Sequence, residues 1–280
     1  MSNIMHYKTL YIQSERNRKR LMEIIFHANA GHVGGDLSCM NILTVLYFKV
    51  MNIDPGNPKM VNRDRFVMSK GHCVEALYAV LEAKGFISKE LTDTLGKFKS
   101  PLAGHPTNIV PGIEVNSGAL GHGLSIGVGM ALAAKMDNES YKTYVLMGDG
   151  EQGEGSIYEA LMAGNQYKLD NLVAIIDRNK LQISGNTDSV MSLGNIKERW
   201  SAFGWDVIET NGDDIDELLN TFNGIDYENH KPHLIIADTT KGKGVSFMEN
   251  DPKWHHGVPT QEQYTQAMDE IQQRISILES

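Results

Sequence analysis

Short, continuous apolar runs in the second half of the chain are the feature that most limits its fold. Residues 144–147 (YVLM), 172–176 (LVAII) and 233–237 (HLIIA) show almost no alternation between polar and apolar side chains. Such runs are typical of strands that are buried on both faces, as in parallel sheets. A helical pattern at residues 156–166 separates the first two runs, as expected for a crossover connection. The sequence therefore predicts an α/β fold with a doubly wound, mostly parallel sheet flanked by helices.

Apolar periodicity and helix-end residues predict further helices around this sheet. The last of them carries an apolar stripe of Ile271, Ile275 and Leu278, through which we expect it to dock on the body of the protein. The predicted helices cover residues 11–30 ending at Gly31, 37–51 ending before Pro55, 74–84 closed by Gly85, 124–135, and 261–278.

Polar and glycine residues follow two of the predicted strands. Gly148, Asp149 and Gly150 come directly after the first run, and Asn179 lies shortly after the second. Ligands of open α/β sheets bind beyond the carboxyl ends of the strands. We therefore expect these residues to face one ligand site.

Oxygen donors near these strand ends fit a hard cation. The Asp149 carboxylate, the Asn179 amide oxygen and the Leu181 carbonyl are ligands of the kind that Mg²⁺ or Ca²⁺ prefers. Two oxygens of a diphosphate and one water would complete a shell of about six ligands. Backbone N–H groups of Gly148 and Gly150 would face the diphosphate. On spacing alone, the alternative that Asp149 and Asn179 are plain turn formers stays open.

Histidine follows glycine unusually often in this sequence. His32, His72, His105 and His122 each do so, and His256 precedes a glycine. Random pairing would give roughly one Gly-His pair, even though glycine is common in turns. The pattern favours a funnel of neutral imidazoles around a substrate that must lose and regain protons. Local loop hydrogen bonds and a histidine zinc site are the alternatives, although the close spacing of zinc motifs is absent.

A third glycine-rich segment, NSGALGHG at residues 116–123, precedes the predicted helix at residues 124–135. It lacks the strand context of a dinucleotide-binding motif, which argues against a nicotinamide cofactor. We interpret it as a loop whose backbone contacts a flat ligand.

Charge and composition exclude several classes of protein. With 35 acidic and 26 basic residues, the chain has a net charge of −9, which disfavours binding to nucleic acid or a membrane surface. The longest apolar stretch, residues 42–51, is too short to span a bilayer. The N-terminal region lacks the apolar segment of a secretory signal, and Cys39 and Cys73 are too few for a disulfide framework. We therefore expect a cytoplasmic protein with reduced cysteines.

Seven stretches of the sequence, in their order and spacing, resemble the N-terminal, diphosphate-binding part of transketolase. The resemblance covers nearly the whole chain, which looks like the separate N-terminal subunit of a split transketolase. The stretches are ANAGHVGGDLS, DRFVMSKGHCVEALY, AGHP, NSGALGHGLSIGVGMALAAK, GDGEQGEGSIYEALMAGNQYKLDNLVAIIDRNKLQISG, TTKGKGVSF and HHGVP.

The resemblance implies one thiamine diphosphate-binding domain, of the PP type, over residues 1–280. Its cofactors would be thiamine diphosphate and Mg²⁺ or Ca²⁺. Asp149, Asn179 and the Leu181 carbonyl match the ligands of the cation, and the backbone amide of Gly150 matches the group that meets the diphosphate.

The resemblance also implies positions around the organic part of the cofactor. Backbone groups of Gly118 and Leu120 match the loop that holds the aminopyrimidine. Glu154 and Glu159 match acidic positions near the cofactor and the subunit interface. Asp213 lies where many relatives have a Gly-His-Asp sequence, and it receives no assignment.

Four histidines match functional histidines of the family. His72 and His256 correspond to residues near the diphosphate and the reacting carbon. His32 and His105 correspond to residues that contact the sugar and assist its proton transfers. His122 occupies a position that is often glutamine in transketolases, so its role stays open.

The implied activity is transfer of a two-carbon ketol group from a ketose or ketose phosphate to an aldose. The pyrimidine-binding and C-terminal domains of the family, with the glutamate that activates the cofactor, would lie on a partner chain. We therefore expect a subunit that is active only with a C-terminal transketolase subunit, in an α₂β₂ heterotetramer that acts on sugars or sugar phosphates.

Three alternatives remain from the sequence. The cation and diphosphate motif also fits the subunits of 2-oxo acid dehydrogenases and deoxyxylulose-phosphate synthase. A non-catalytic cofactor-binding subunit would need Asp149, Asn179 and the glycines but not the histidines. A histidine-metal hydrolase is the third alternative, and the identity of the sugars stays open because a fold does not define a substrate.

Overall fold

Five parallel strands form the main sheet of the protein. The structure is a computed structural model that describes residues 2–183 and 185–280, with only the backbone described for residues 2–6. The strands of this sheet are β1 (Arg65–Met68), β2 (Thr143–Gly148), β3 (Leu172–Arg178), β6 (Asp206–Asn211) and β7 (His233–Asp238), and two further short strands are β4 (Leu181–Gln182) and β5 (Gly185–Asn186). The sheet has the order β1-β2-β3-β7-β6, and β4 and β5 form a small antiparallel hairpin.

Helices connect the strands and cover them. Among the described residues, no helix is both long and apolar enough to cross a membrane. The helices are α1 (Ser2–Ala28), α2 (Val33–Ser38), α3 (Met40–Val45), α4 (Val74–Lys84), α5 (Lys89–Thr92), α6 (His122–Met136), α7 (Gly155–Gln166), α8 (Thr187–Val190), α9 (Ile196–Ala202), α10 (Ile215–Asn223) and α11 (Gln261–Glu279). A π-helical segment at Leu46–Val50 and 3₁₀ turns at Gly71–Cys73, Gly150–Gly153 and Pro252–His255 complete the set.

The two faces of the sheet pack against different helices. Along β2, Val145 and Met147 pack with α6, α7 and α9, whereas Tyr144 and Leu146 pack with α1, α3, α4 and α10. Burial of each aliphatic side chain contributes roughly 1.5–3 kcal/mol. A central strand that is covered on both faces therefore needs apolar residues at every position. The predicted α/β fold with a doubly wound, parallel sheet is confirmed.

The central strands agree with the prediction and the edge strands do not. The runs at residues 144–147, 172–176 and 233–237 lie within β2, β3 and β7. The sequence-based prediction lacks β1 and β6, which are the two edges of the sheet. β1 has only four residues, and β6 is mostly half-buried and mixes polar with apolar residues. Neither strand has the continuous apolar run on which the prediction depends.

Most predicted helices are present with nearly the expected ends. α4 ends at Gly85, which adopts a left-handed φ of 94°, and α6, α7 and α11 contain the other predicted segments. α11 packs on α1 and buries Ala267, Ile271 and Ile275, which confirms that it docks on the body of the protein.

Two helical predictions need correction. The predicted helix at residues 11–30 is α1, which ends at Ala28 because Asn29 takes a left-handed φ of 53°. The predicted helix at residues 37–51 is divided at Cys39 into α2 and α3, and it continues beyond them as the π-helical segment.

Candidate functional site

A cavity of about 450 Å³ opens at the carboxyl edge of the sheet. This volume lies in the range of small-molecule and cofactor sites. The loops after β1, β2, β3 and β7 supply much of its wall, as expected for an open α/β sheet. The lining residues include His32, Lys70, His72, His105, Gly118, Leu120, Gly148, Asp149, Gly150, Glu151, Glu154, Asn179, Leu181, Lys241 and His255.

The three predicted cation ligands meet in this cavity. Asp149 and Asn179 are buried, and the Asn179 side-chain oxygen accepts a hydrogen bond from the Leu181 backbone N–H at 3.1 Å. The Asp149 carboxylate accepts hydrogen bonds from the backbone N–H groups of Gly150 and Lys180, both at 2.7 Å. Burial, followed by the nearby Asp177, raises the pKa of Asp149. A bound cation would oppose that shift because it favours the ionised carboxylate.

The donor set of this trio fits Mg²⁺ or Ca²⁺. A carboxylate, a side-chain amide and a main-chain carbonyl supply only oxygen atoms, whereas zinc sites use mainly histidine and cysteine. In the part of the chain that the structure describes, no group of three or more His, Cys, Asp or Glu side chains is arranged to hold a metal ion. At Gly148, a side chain would meet no atom within 4 Å, so the turn leaves open space beside Asp149.

A buried ion pair lies beside the cation ligands. Lys70, two residues after the end of β1, pairs with Asp177 of β3, and its ammonium group also donates to the Gly35 carbonyl at 3.0 Å. Asp177 additionally accepts a hydrogen bond from the Ser38 hydroxyl at 2.6 Å. Both members of the pair are almost completely buried. Such a pair holds its members firmly, because a buried charge that loses its partner is strongly destabilising.

A second buried lysine has no carboxylate as a hydrogen-bond partner among the residues that the structure describes. The Lys241 ammonium is 1% exposed and donates to the Leu181 carbonyl at 3.2 Å, and its nitrogen lies 2.8 Å from His255 Nδ1. Burial, with a contribution from Lys70, lowers the pKa of Lys241 to about 8. The cavity therefore has two cationic groups in its wall, which suits an anionic ligand such as a diphosphate.

These two lysines are absent from the sequence-based site prediction. Lys70 and Lys241 lie in the stretches SKGH and TTKGKG, two and three residues beyond the ends of β1 and β7. The same strand-end rule that identified Asp149 would have identified Lys241, because the apolar run before it was recognised. It would not have identified Lys70, because β1 was not predicted.

Histidines form one wall of the cavity, with His32 at their centre. Its ring centroid lies 5.2 Å from that of His72, 6.4 Å from His105, 5.9 Å from His255 and 4.8 Å from His256. The structure therefore brings all four predicted functional histidines together. His255 lines the cavity, whereas His256 is an exposed residue that packs against His32.

Three of these imidazoles, those of His32, His105 and His255, are neutral near pH 7. Burial lowers the pKa of His32 to about 4 and that of His255 to about 3, and it also lowers the pKa of His105. A neutral imidazole has one nitrogen that donates and one that accepts a hydrogen bond, so it can exchange protons with hydroxyl and carbonyl groups. His122 lies outside the group, exposed at the start of α6, with its Nδ1 atom 3.1 Å from the Leu120 carbonyl.

The loop at residues 118–121 passes close to the histidines. Gly118 has a φ of 149°, and a side chain there would come within 2.9 Å of the His105 ring. Gly121 has a φ of 82°, and a side chain there would come within 2.5 Å of Glu154. Only glycine permits this backbone path. The predicted aminopyrimidine loop is thus fixed against two other predicted site residues.

The remaining predicted positions differ in their relation to the cavity. Glu154 lines it, and Glu159 is exposed on α7. Asp213 accepts hydrogen bonds from the Thr240 hydroxyl at 2.8 Å and pairs with Lys243 at 3.2 Å. Asp213, which the sequence left unassigned, therefore anchors the loop that carries Lys241.

An open α/β sheet whose strand-end cavity joins oxygen donors, buried lysines and neutral histidines defines an α/β domain suited to an anionic ligand. A family model described as "Transketolase, thiamine diphosphate binding domain" matches residues 13–273. The chain belongs to the transketolase family.

Curated relatives include several subunits of split transketolases. The chain is 70% identical over 275 residues to a subunit of apulose-4-phosphate transketolase from Phocaeicola vulgatus, with 98% of each chain covered. It is 43% identical to the subunit of the same name from Actinobacillus succinogenes, covering 95% of this chain and 98% of that one. A subunit of 6-deoxy-6-sulfo-D-fructose transketolase from a Clostridium species is 41% identical, covering 91% of this chain and 93% of that one.

Solved transketolase structures share the fold. Transketolase from Campylobacter jejuni superimposes with a TM-score of 0.89 at 34% identity, covering 94% of this chain but only 42% of that chain. The chain is therefore an N-terminal transketolase subunit with a thiamine diphosphate-binding domain, and the subunit names of its relatives imply a partner chain. These findings favour transketolase over the other thiamine enzymes considered from the sequence.

Proposed function

We propose that the chain pairs with a C-terminal subunit to form a transketolase, which uses thiamine diphosphate and Mg²⁺ to act on apulose 4-phosphate. The observation that carries the proposal is the single cavity that joins the cation ligands, two buried lysines and a group of neutral histidines. The substrate is supported by the two relatives named for apulose 4-phosphate, at 70% and 43% identity over nearly the whole chain.

In this proposal, Asp149, Asn179 and the Leu181 carbonyl hold the cation. Lys241 balances part of the charge of the diphosphate, because buried cations attract anions strongly where water is excluded, whereas the charge of Lys70 is already paired with Asp177. Backbone amides of Gly148 and Gly150 would complete the diphosphate site, Gly118 and Leu120 would hold the aminopyrimidine, and Glu154 and Glu159 would lie near the cofactor and the interface. When bound, thiamine diphosphate supplies the carbon nucleophile and electron sink for cleavage of a ketose between C2 and C3.

The histidines would manage protons during this cleavage. His32 and His105, both with lowered pKa values, would contact the sugar and exchange protons with its hydroxyl and carbonyl oxygens. His72 and His256 would lie near the diphosphate and the reacting carbon. A subunit that only bound the cofactor would need none of these imidazoles, so the intact group supports a catalytic role.

The partner would complete the active site. We infer that residues 1–280 form a single PP domain and that the pyrimidine-binding and C-terminal domains, with the activating glutamate, lie on the second chain. The fraction of the Campylobacter transketolase that the chain covers, 42%, supports this division. By analogy with symmetric oligomers, we expect an α₂β₂ heterotetramer. The two free, buried cysteines fit the cytoplasm, where thiols stay reduced.

Purification from the native host, followed by a ketol-transfer assay, tests this proposal. The assay would compare apulose 4-phosphate with 6-deoxy-6-sulfo-D-fructose and with an unbranched pentulose phosphate, each with thiamine diphosphate and Mg²⁺. We expect a second chain to co-purify, both chains to be required, and apulose 4-phosphate to give the highest kcat/KM. Turnover by this chain alone would contradict the proposed division. Preference for another donor would overturn the substrate, and cofactor binding without turnover by the pair would favour a binding subunit.

A further inference from the structure

The carboxylate of Glu151 joins three segments of the cavity wall. Glu151 is 2% exposed and follows the predicted cation turn in the 3₁₀ segment after β2. Its Oε1 atom accepts hydrogen bonds from the Ser69 hydroxyl and, at 2.8 Å, from the Gly121 backbone N–H. Its Oε2 atom accepts a hydrogen bond from the Gly148 backbone N–H at 3.0 Å. One carboxylate therefore holds three chain segments together, through one hydroxyl group and two backbone N–H groups.

Each partner belongs to a different part of the proposed cofactor site. Ser69 directly precedes Lys70, and Gly148 directly precedes Asp149. Gly121 is the residue before α6 and ends the loop that contains Gly118 and Leu120. One buried carboxylate thus connects the diphosphate side of the cavity with the aminopyrimidine side.

Hydrogen-bond chemistry makes the carboxylate difficult to replace. The two backbone partners can only donate, and the two oxygens of Glu151 accept from all three groups. A glutamine has one acceptor oxygen, so its amide nitrogen would face at least one N–H group that also needs an acceptor. Leaving a buried donor without a partner is costly. The isosteric substitution should therefore loosen one of the three connections without changing side-chain volume.

We propose that Glu151 is a positioning residue that sets the spacing between the Gly148–Asp149–Gly150 turn and the loop at residues 118–121, so that one thiamine diphosphate can contact both. The inference rests on the proposed function, because it takes the cavity to be the cofactor site. Glu151 does not contact the reacting atoms in this account. Its loss should weaken cofactor binding more than it slows turnover by the loaded enzyme.

Asp64 provides a matched control at the opposite edge of the sheet. It is 5% exposed, and its two carboxylate oxygens accept backbone hydrogen bonds from Asn52 at 2.8 Å and Lys142 at 2.7 Å. It therefore connects two segments near the starts of β1 and β2, as Glu151 connects segments at their ends. Asp64→Asn should reduce stability in the same way as Glu151→Gln, but far from the cofactor.

The test uses the two-chain enzyme with wild-type, Glu151→Gln, Ser69→Ala and Asp64→Asn versions of this chain. Three quantities are measured: the Tm without cofactor, the Kd of thiamine diphosphate at fixed Mg²⁺ by calorimetry, and kcat at saturating cofactor. Glu151→Gln should raise the Kd by about tenfold, and Ser69→Ala, which removes one of three hydrogen bonds, by about threefold. Asp64→Asn should lower the Tm and leave the Kd within about twofold.

The outcomes separate this inference from the proposed function. A wild-type enzyme that binds no thiamine diphosphate would refute the proposed function, and the inference with it. Normal wild-type binding with an unchanged Kd in Glu151→Gln would overturn the inference alone, and so would a loss of kcat at saturation without a change in Kd. If Glu151→Gln does not assemble, Ser69→Ala decides the question, because an unchanged Kd in that variant also contradicts the positioning role.

Discussion

A cavity lies at each end of the strands of the main sheet. The cavity at the carboxyl ends, the carboxyl edge, has a volume of about 450 Å³, and the cavity at the amino ends, the amino edge, has a volume of about 460 Å³. At the amino edge, several polar groups of the cavity wall are paired within the chain. Asp64 accepts two backbone hydrogen bonds, and the hydroxyls of Tyr144 and Tyr227 lie 3.2 Å apart. Lys142 donates to a carbonyl at 3.1 Å and lies over the Tyr227 ring. This cavity is bounded by groups that stabilise the fold.

The carboxyl edge differs in what its polar groups do. Lys241 is buried there with only a carbonyl and an imidazole as hydrogen-bond partners, and the Nδ1 atom of His32 is buried without a hydrogen-bond partner among the described residues. Oxygen donors of Asp149 and Asn179 line the same space. Cavity volume therefore does not identify a functional site. Incompletely paired charge at the ends of buried strands does.

Asp149→Asn should produce the largest effect. The amide keeps one oxygen donor but loses the negative charge that a hard cation requires. We expect kcat/KM to fall by more than about 100-fold and the Mg²⁺ concentration for half activity to rise. Asp64→Asn, the corresponding change at the amino edge, should leave the Mg²⁺ dependence unchanged. Equal Mg²⁺ dependence in the Asp149→Asn and Asp64→Asn variants would contradict the proposed cation site.

His105→Ala tests whether the histidines of the cavity wall take part in proton transfer. Loss of a general acid or base typically reduces turnover by about 10²–10⁴-fold. We expect kcat to fall in this range while the Kd of thiamine diphosphate changes little. His122→Ala is the control, because His122 is exposed outside the histidine group. A subunit that only binds the cofactor would show no difference between the two variants.

Lys241→Met tests whether the buried lysine at the carboxyl edge contributes to cofactor binding. Removal of a buried positive group should weaken thiamine diphosphate binding by about 10–100-fold and reduce the dependence of the Kd on salt. The control, Lys142→Met, removes a lysine from the wall of the amino-edge cavity. If both variants bind the cofactor as tightly as the wild type, Lys241 does not contribute to the diphosphate site.

The smallest expected effect is a pH dependence of stability. His32 has a pKa of about 4 in the folded protein, against 6.5 ordinarily, because burial disfavours its charged form. The unfolded chain therefore binds more protons than the folded one between these values, and stability is lost as the pH falls from 6.5 toward 4. His32→Asn should make the Tm of the cofactor-free protein less dependent on pH by about 2–4 °C, a modest effect because the ring is only half-buried. An identical pH profile in the variant would contradict the assigned pKa shift.

The sequence was sufficient to locate those site residues whose position follows from the topology of the sheet. Asp149 and Asn179 follow central strands, and central strands are recognisable because both faces are buried. The site therefore could be located from the runs that precede these residues. β1 could not be predicted because its buried apolar run is only three residues long, and β6 because it is partly exposed and mixes polar with apolar residues.

Other features depend on tertiary packing that no local pattern records. Lys70 is buried only because Asp177, from a distant part of the chain, pairs with it. Of the adjacent histidines 255 and 256, the first lines the cavity, as a result of the turn at Pro252–His255. Two of the three hydrogen-bond partners of Glu151 likewise lie 30 and 82 positions away in the sequence. Pairings at such separations require the folded structure.

A crystal structure of the two-chain complex with thiamine diphosphate and Mg²⁺ tests the central claim most directly. We predict the cation on Asp149, Asn179 and the Leu181 carbonyl, with the diphosphate beside Lys241 at the carboxyl edge of the sheet. Cofactor bound in the amino-edge cavity, or a cation held by the histidines instead of the oxygen donors, would contradict the account.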